Sequence, residues 1–299
     1  MPVSKKPRKT SSRSPGKAEL ASLPNPVTLE AEGRLSGPWP DNEALGDAQD
    51  LVYEAWETED GRSRYALARR ALQITPLCAD AWLILAERPS LSASERREYL
   101  ERAVKAGELA LGEGGFAQCD GHFWGFLETR PYMRARHQLA EDLWSSGDRE
   151  AAVRHLRGML VLNPGDNQGL RYILLAWLLT LRDDAAVEDL LRTHSDEASA
   201  FICYTRALFA FRRDGDSVAA RLAAAEAWGC NRHVPGRLAR KTRPHLNDTG
   251  YYILGGEDEA AYYVDEYGFA WRETPGAVGW LVNITKTLTP LREGRATLH

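Results

Sequence analysis

Arginine is the residue whose placement in this 299-residue chain points most directly at chemistry. Counting three successive helix pairs from Met133, Asn167 and Phe201, Arg134, Arg171, Arg206 and Arg212 fall at groove positions with His137, Tyr172 and Phe209 among them, and Arg130 stands just before the first pair. A guanidinium presents a planar fork of N–H donors that meets a carboxylate at two points. Several such forks over an aromatic floor predict a positive groove. It would take an extended or helical peptide with acidic groups or a free C-terminus. The competing expectation is internal neutralisation, in which the arginines pair with acids of neighbouring helices, Glu128 and Glu141 being the evident partners.

Other chemistry is thinly represented. Cys119-Asp120-Gly121-His122 brings three potential ligands close together, but no second cluster completes a tetrahedral zinc site, so neither a metal nor a cofactor is expected. His137 and His155 fall in different helices of one pair, where groove or surface histidines are far commoner than catalytic ones. The strings of a nucleophile elbow, a zinc protease helix and a phosphate-binding loop are absent from the sequence. Glu257-Asp258-Glu259 opens a predicted helix, and carboxylates there favour the positive end of its dipole without any catalytic role. The residues give no reaction, and the expectation is a protein that is not an enzyme.

The elements that position these residues follow a period of 34. Ala152, Ala186 and Ala220 form one column, and Leu139, Ile173 and Ala207 a second. Leu143, Trp177 and Phe211 form a third, and Leu156, Leu190 and Ala224 a fourth. Small or apolar residues in fixed columns at this period are the signature of tetratricopeptide helix pairs. The predicted fold is therefore all-α, a tetratricopeptide-like solenoid of antiparallel helix pairs with a C-terminal helical cap.

Punctuation along the chain supplies the boundaries. Residues 1–40, rich in Pro and Ser and opening with Lys5, Lys6, Arg8, Lys9, Arg13 and Lys17, read as a disordered basic tail. N-terminal helix pairs fill 41–106, with Leu45, Ala48, Leu51, Val52, Ala55 and Trp56 on the buried face of the first helix and Ser94 as the cap of the fourth. Residues 107–128 combine Gly112, Gly114, Gly115 and Gly121 with Phe116, Phe123, Trp124 and Phe126, and predict an inserted loop. Phe123 and Trp124 are its expected contacts with the groove. The regular repeats occupy 129–229, opened by Thr129 as a cap, with turns at Gly147, Asn163-Pro164-Gly165-Asp166 and Asp214-Gly215-Asp216. A basic connector and the cap follow over 230–288, and a flexible tail over 289–299.

Composition narrows the partner. A net charge of −4 argues against a general nucleic-acid binder, although the basic start and the segment Arg232 to His245 keep that as a weaker alternative. The longest apolar run, Tyr172 to Leu181, is about half of what a membrane-spanning helix needs, and predicts a buried central helix instead of a span. Four cysteines without a CxxC pair do not suggest a disulfide framework, and Cys203 and Cys230 are expected to pack as small hydrophobes. A reducing cytoplasm is the corresponding expectation.

The strings ETRPYMRARHQLA (128–140), ASAFICYTRALFAFR (198–212), HVP (233–235) and GGEDEAAYYVDEYGFAW…GAVGWL (255–281) follow one another in an order similar to that of the suppressor of tumorigenicity 7 family. The chain resembles a compact bacterial-type member, over roughly Leu45 to Thr287, with TRPYMR and ICYT as the specific parts. The resemblance implies a tetratricopeptide-like fold without an established activity or cofactor, and it brings no catalytic residues. Animal members are described as membrane-associated and carry apolar segments near the N-terminus. This chain has a basic, Pro-rich start there, so that location is not carried over.

The functional expectation is a non-catalytic scaffold that binds a protein or peptide in an Arg/aromatic groove. The alternative is an enzyme or small-ligand binder that uses the 107–128 loop over that groove.

Overall fold

The structure, a computed structural model, describes residues 15–27, 42–240 and 242–293. Every regular element among the described residues is helical, and none is a strand. The chain divides into two compact units, Met1–Leu170 and Arg171–His299.

The first unit packs its helices as neighbours in sequence. Helix α2 (Asn42–Glu57) pairs with α3 (Gly61–Ile74), α4 (Ala79–Ala86) with α5 (Ala93–Cys119), and α6 (Arg130–Ser146) with α7 (Arg149–Leu162). Each pair also leans on the next, through α3 against α4 and α5 against α6. Tyr132, Ala135, Leu139 and Leu143 share one face of α6 by helical spacing, and that face is the buried one. Gly147 ends α6 at φ 96°, and Asp148 starts α7 by accepting from the Ala151 amide at 3.4 Å. Trp82, completely buried, donates from Nε1 to the Pro76 carbonyl at 2.8 Å and so ties α4 to the turn before it.

Several local expectations change here. Ser92, not Ser94, caps α5: its Oγ accepts from the Glu95 amide while Glu95 bonds back to the Ser92 amide. That reciprocal box needs Ser and Glu three residues apart, a spacing Ser92 has and Ser94 lacks. Helix α5 continues through Cys119 and takes up most of the expected 107–128 loop. Gly112, at φ 58° and ψ 175°, breaks its axis, so a glycine cluster that reads as a loop acts as a kink within one helix. Trp56, expected inside, is 42% exposed. Of the expected 1–40 tail, residues 1–14 and 28–40 lie outside the described residues. Helix α1 (Pro15–Ser22) is ordered against α5, with Leu20 buried and Glu19 bonded to Arg69 Nε at 2.5 Å and to Arg88.

In the second unit α8 (Leu170–Leu181) and α9 (Asp184–Thr193) precede the pair α10 (Ala200–Asp214) and α11 (Val218–Cys230). The short α12 (Val234–Leu238), α13 (Glu257–Arg272) and α14 (Ala277–Glu293) follow, so the expected 289–299 tail is helical to residue 293 and its last six positions lie outside the described residues. Helices α13 and α14 pack on α10, and α14 also on α11. Aromatic rings fill this core: Tyr204, Tyr263, Tyr267 and Trp271 are all fully buried, with the Trp271 Nε1 donating to the Tyr263 hydroxyl at 2.7 Å. The repeat columns are least covered in α8 and α9, where Ile173, Ala186 and Leu190 are only half-buried. The turn between these two helices passes through Arg182 at φ 58°, where the other pairs have Gly147 and Gly215.

Candidate functional site

The residues singled out by sequence separate between the two units. In the first, Arg130, Phe123 and Trp124 meet. A 3-10 turn over Phe123–Gly125 buries Phe123 completely against Phe116 and Tyr132, with ring centroids 5.2 and 6.3 Å away. Trp124 stays half-buried, the Arg130 guanidinium lies 5.4 Å from its ring, and Arg130 Nε donates to the Trp124 carbonyl at 3.1 Å. Thr129 sits at the start of α6 as expected but makes no cap bond; its hydroxyl donates backwards to the carbonyls of Phe126, at 2.9 Å, and of Phe123. TRPYMR thus holds the aromatic turn against the helix that follows it.

Arg134 faces a cleft of about 520 Å³ enclosed by residues of α2, the turn before α4, α5, the aromatic turn and α6. Tyr53, Leu77, Leu111, Phe126, Leu127 and Tyr132 supply apolar walls, and Gln49, Gln118, Glu128 and Arg134 the polar points. Close packing of α5 on α6 forms the base. A Cβ at Gly107 would lie 2.9 Å from the Tyr132 Cβ, so only glycine lets the helices approach this far. Asp80, completely buried, accepts from Arg134 Nε at 2.8 Å, Arg134 Nη2 at 2.5 Å and Gln49 Nε2 at 3.1 Å. The guanidinium also lies 5.3 Å from the Trp56 ring, which packs on Tyr53. Cys78 lines the same wall, but burial pushes its thiol up to about 12, which removes it as a nucleophile at neutral pH.

The histidines do not assemble chemistry. His137 Nε2 lies 3.7 Å from Glu141 on its own helix. Burial and the Arg136 guanidinium, which donates to the His155 carbonyl at 3.2 Å, hold the His155 imidazole below its usual range and hence neutral. Cys119 is completely buried at the end of α5, while Asp120 and His122 are exposed. Among the described residues no group of three or more His, Cys, Asp or Glu side chains is gathered for a metal ion.

In the second unit the arginines are engaged internally, with partners other than the acids first considered. Arg171 Nε donates to Glu197 at 2.6 Å and Arg171 Nη2 to the Tyr172 hydroxyl at 2.9 Å. Tyr172 in turn donates to Glu197, which also accepts from Ser199 Oγ at 2.7 Å. Burial alone would raise the Glu197 pKa, but the bonds from Arg171, Tyr172 and Ser199 outweigh it and hold the carboxyl below its ordinary value. Arg206 Nη2 donates to the Ser195 carbonyl at 2.9 Å. Arg212 lies 5.1 Å from the Phe209 ring, bonds Thr274 Oγ1 at 2.9 Å and the Ala270 carbonyl at 3.1 Å, and faces Asp184 at 3.5 Å. Arg237 and Arg243 of the basic segment are likewise partnered, with Glu257 at 3.3 Å and with Asp265 at 2.5 and 2.8 Å.

Two features escaped the sequence reading. Glu259 is completely buried, and its carboxylate accepts from the Ala200 amide at 2.8 Å, Asn231 Nδ2 at 2.9 Å and the Gly255 amide at 2.7 Å. A carboxylate at a helix start is as expected, but the start it serves is that of α10. Cys203 and Cys230, expected to pack as independent hydrophobes, have sulfurs 2.7 Å apart. Their near-equal distance from the hinge at Gly215 is the signal that could have paired them.

No protein-family model matches the chain. Curated relatives do match. The protein ST7 homolog of Drosophila pseudoobscura pseudoobscura is 26% identical over 269 residues, covering 79% of this chain and 48% of that protein. The suppressor of tumorigenicity 7 protein-like of Gallus gallus is 27% identical over 185 residues, covering 58% and 32% respectively. The suppressor of tumorigenicity 7 protein of Mus musculus is 23% identical over 285 residues, covering 81% and 49%. The resemblance to suppressor of tumorigenicity 7 proteins therefore extends over about four-fifths of this chain, and the chain spans about half the length of most of these relatives. No helix among the described residues is long and apolar enough to cross a membrane.

Proposed function

We propose that the chain is a non-catalytic interaction scaffold built of tetratricopeptide-like helix pairs, and that a partner segment docks in the cleft of the first unit. One observation carries the reading: Tyr53, Phe126 and Leu127, respectively 51%, 37% and 66% exposed, converge on a single cleft of about 520 Å³. Large apolar side chains exposed around one concavity are where a partner's anchor residue gains most by burial. Arg134 belongs to this cleft, but Asp80 already holds two of its N–H groups. It positions the wall, and the partner is selected chiefly by apolar shape. In the second unit Arg206, with a single backbone carbonyl as its hydrogen-bond acceptor among the described residues, is the arginine best able to meet an acidic group.

A random peptide library displayed on phage and panned against the full chain tests this. Enriched sequences should share a large apolar residue, and capture should be lost in L127E and Y53A while helix content by circular dichroism is unchanged. A library that yields no enriched sequence, or capture indifferent to both substitutions, refutes the assignment.

A second reading is a small-molecule site. It is favoured by the cleft volume, which lies within the ~300–1,000 Å³ of small-ligand pockets, and by the contribution of Gly107, Leu111, Gln118 and Leu127 from the 107–128 segment. A thermal-shift screen against a metabolite collection separates the two readings, since a stabilising small molecule favours the second.

A further inference from the structure

Cys203 lies in the first turn of α10 and Cys230 is the last residue of α11, the helix that folds back on it. Both are free thiols, and their sulfurs are 2.7 Å apart, beyond the ~2.05 Å of a disulfide bond. The two differ in access. Cys203 is 6% exposed, with its sulfur 3.7 Å from the Glu197 carbonyl, whereas Cys230 is only half-buried. They also differ in protonation. The bond from the Cys203 S–H lowers the Cys230 pKa, and the same bond raises that of Cys203. The Arg206 guanidinium further favours a negative sulfur, against the opposing fields of Glu226 and Glu259. The remaining cysteines form an internal contrast, since Cys78 is 2% exposed and Cys119 is completely buried.

We propose that Cys203 and Cys230 are a redox-active dithiol that a peroxide closes to a disulfide, clamping α10 to the C-terminal end of α11. Cys230 is the attacking sulfur. Its thiolate breaks the O–O bond of hydrogen peroxide, takes one oxygen as a sulfenic acid and releases hydroxide, which leaves as water after protonation. The Cys203 sulfur, its proton lost to solvent, then attacks the Cys230 sulfur, and the sulfenic hydroxyl leaves as the second water. Two thiols and one peroxide give one disulfide and two waters. The two electrons lost by the sulfurs are those gained by the peroxide. A dithiol reductant reverses the closure by two successive exchange steps. The bond would lie next to Asn231, whose carbonyl accepts from the Tyr204 hydroxyl at 2.6 Å and whose side chain bonds Gly256 and Glu259, so its formation stiffens the buried end of the helix pair.

The test uses the full chain, reduced, freed of reductant and treated with a small excess of hydrogen peroxide. It is then denatured, alkylated and mapped by peptide mass spectrometry. The expected result is one cross-linked pair, the Cys203 peptide with the Cys230 peptide, two hydrogens lighter than the dithiol. Cys78 and Cys119 should be alkylated as before, and dithiothreitol should restore all four thiols. In C203S, dimedone should trap a sulfenic acid at Cys230. The proposal is overturned if Cys203 and Cys230 remain as alkylatable as Cys78 after peroxide, or if the bond that forms involves Cys78, Cys119 or a second chain. Preferential dimedone labelling of Cys203 in C230S, over Cys230 in C203S, overturns the assigned order of attack. The wild-type map requires no substitution, so it decides the question even if a variant fails to fold.

Discussion

Replacing Arg134 by Ala removes two of the three bonds to a carboxylate with no solvent exposure, the contacts at 2.8 and 2.5 Å, and leaves Asp80 only Gln49 at 3.1 Å. Stripping one partner from a buried ion pair costs about 3–5 kcal/mol, because the charge left behind cannot be hydrated. The Arg134 side chain is 31% exposed, so water reaches one side of the pair, and the lower end, about 3 kcal/mol, is the appropriate figure. Against a total of about 5–15 kcal/mol that is a large loss, equivalent to about 6–12 °C in melting temperature for a unit of this size. D80N removes the buried charge but leaves a partly exposed arginine free to hydrate, and should cost about 1–2 kcal/mol. The diagnostic variant is the double substitution. With neither charge present, D80N/R134A should unfold at a higher urea concentration than R134A alone, by about 1 kcal/mol, which is a gain of about 2–3 kcal/mol against simple addition of the two losses. R134K should fall between wild type and R134A, since an ammonium cannot make the two-point contact. Urea titrations followed by circular dichroism measure all four. If R134A lies within about 0.5 kcal/mol of wild type, or if D80N fails to rescue it, the pair does not hold the cleft wall. For the same reason L127E is the better probe of partner binding, because Leu127 is two-thirds exposed and supports little else.

Three further outcomes are expected. E259Q should destabilise the second unit by at least about 2 kcal/mol, because either orientation of the amide aims an NH₂ at an N–H donor where the carboxylate now accepts; an unchanged urea midpoint would contradict this. Glu197 has a folded pKa below its ordinary 4.5. It therefore contributes stability above that value and loses it as pH falls through the lowered one. The gap in urea midpoint between wild type and E197Q should be wide at pH 7 and shrink progressively as pH falls below 4.5, and a gap constant with pH would refute the assignment. G107A sets a methyl against the Tyr132 backbone, 3.0 Å from its Cα. It should cost about 1–3 kcal/mol by overpacking, offset in part by up to about 1 kcal/mol of helix propensity, and a stabilised G107A would show that α5 and α6 are free to separate.

The sequence was most legible where the determinants are local. Gly147 and Asp148 mark the end of one helix and the start of the next, and each does so through bonds to residues within five positions. The buried stripe of α6 was readable for the same reason: helical spacing alone decides which side chains share a face. What could not be read depends on encounters distant in the chain. Arg134 and Arg171 are visible as arginines, but their partners lie 54 and 26 residues away, and Glu128 and Glu141 are merely acids close to Arg134 in sequence. The length of α5 was obscured because glycine is both a loop former and, once, a tolerated kink. Trp56 followed the apolar stripe of α2 in sequence, yet its ring covers a guanidinium at the rim of the cleft, a place that amphipathic bodies favour over the interior.

Helix α1 gives the chain a covalently tethered ligand of its own. Its eight residues set Leu20, 2% exposed, into the first unit, supply Glu19 to Arg69 and to the buried Arg88, and offer the Leu20 carbonyl to Arg102 at 3.0 Å. Trimming the protein to its first long helix would leave the Arg88 guanidinium, 7% exposed, without its carboxylate, together with an open leucine socket. Such a fragment would be less stable and would gain an adhesive patch absent from the intact chain. The same geometry makes a synthetic 15–27 peptide a natural complement to the trimmed protein. The two halves could serve as a split reporter, whose reassembly is read from restored melting temperature.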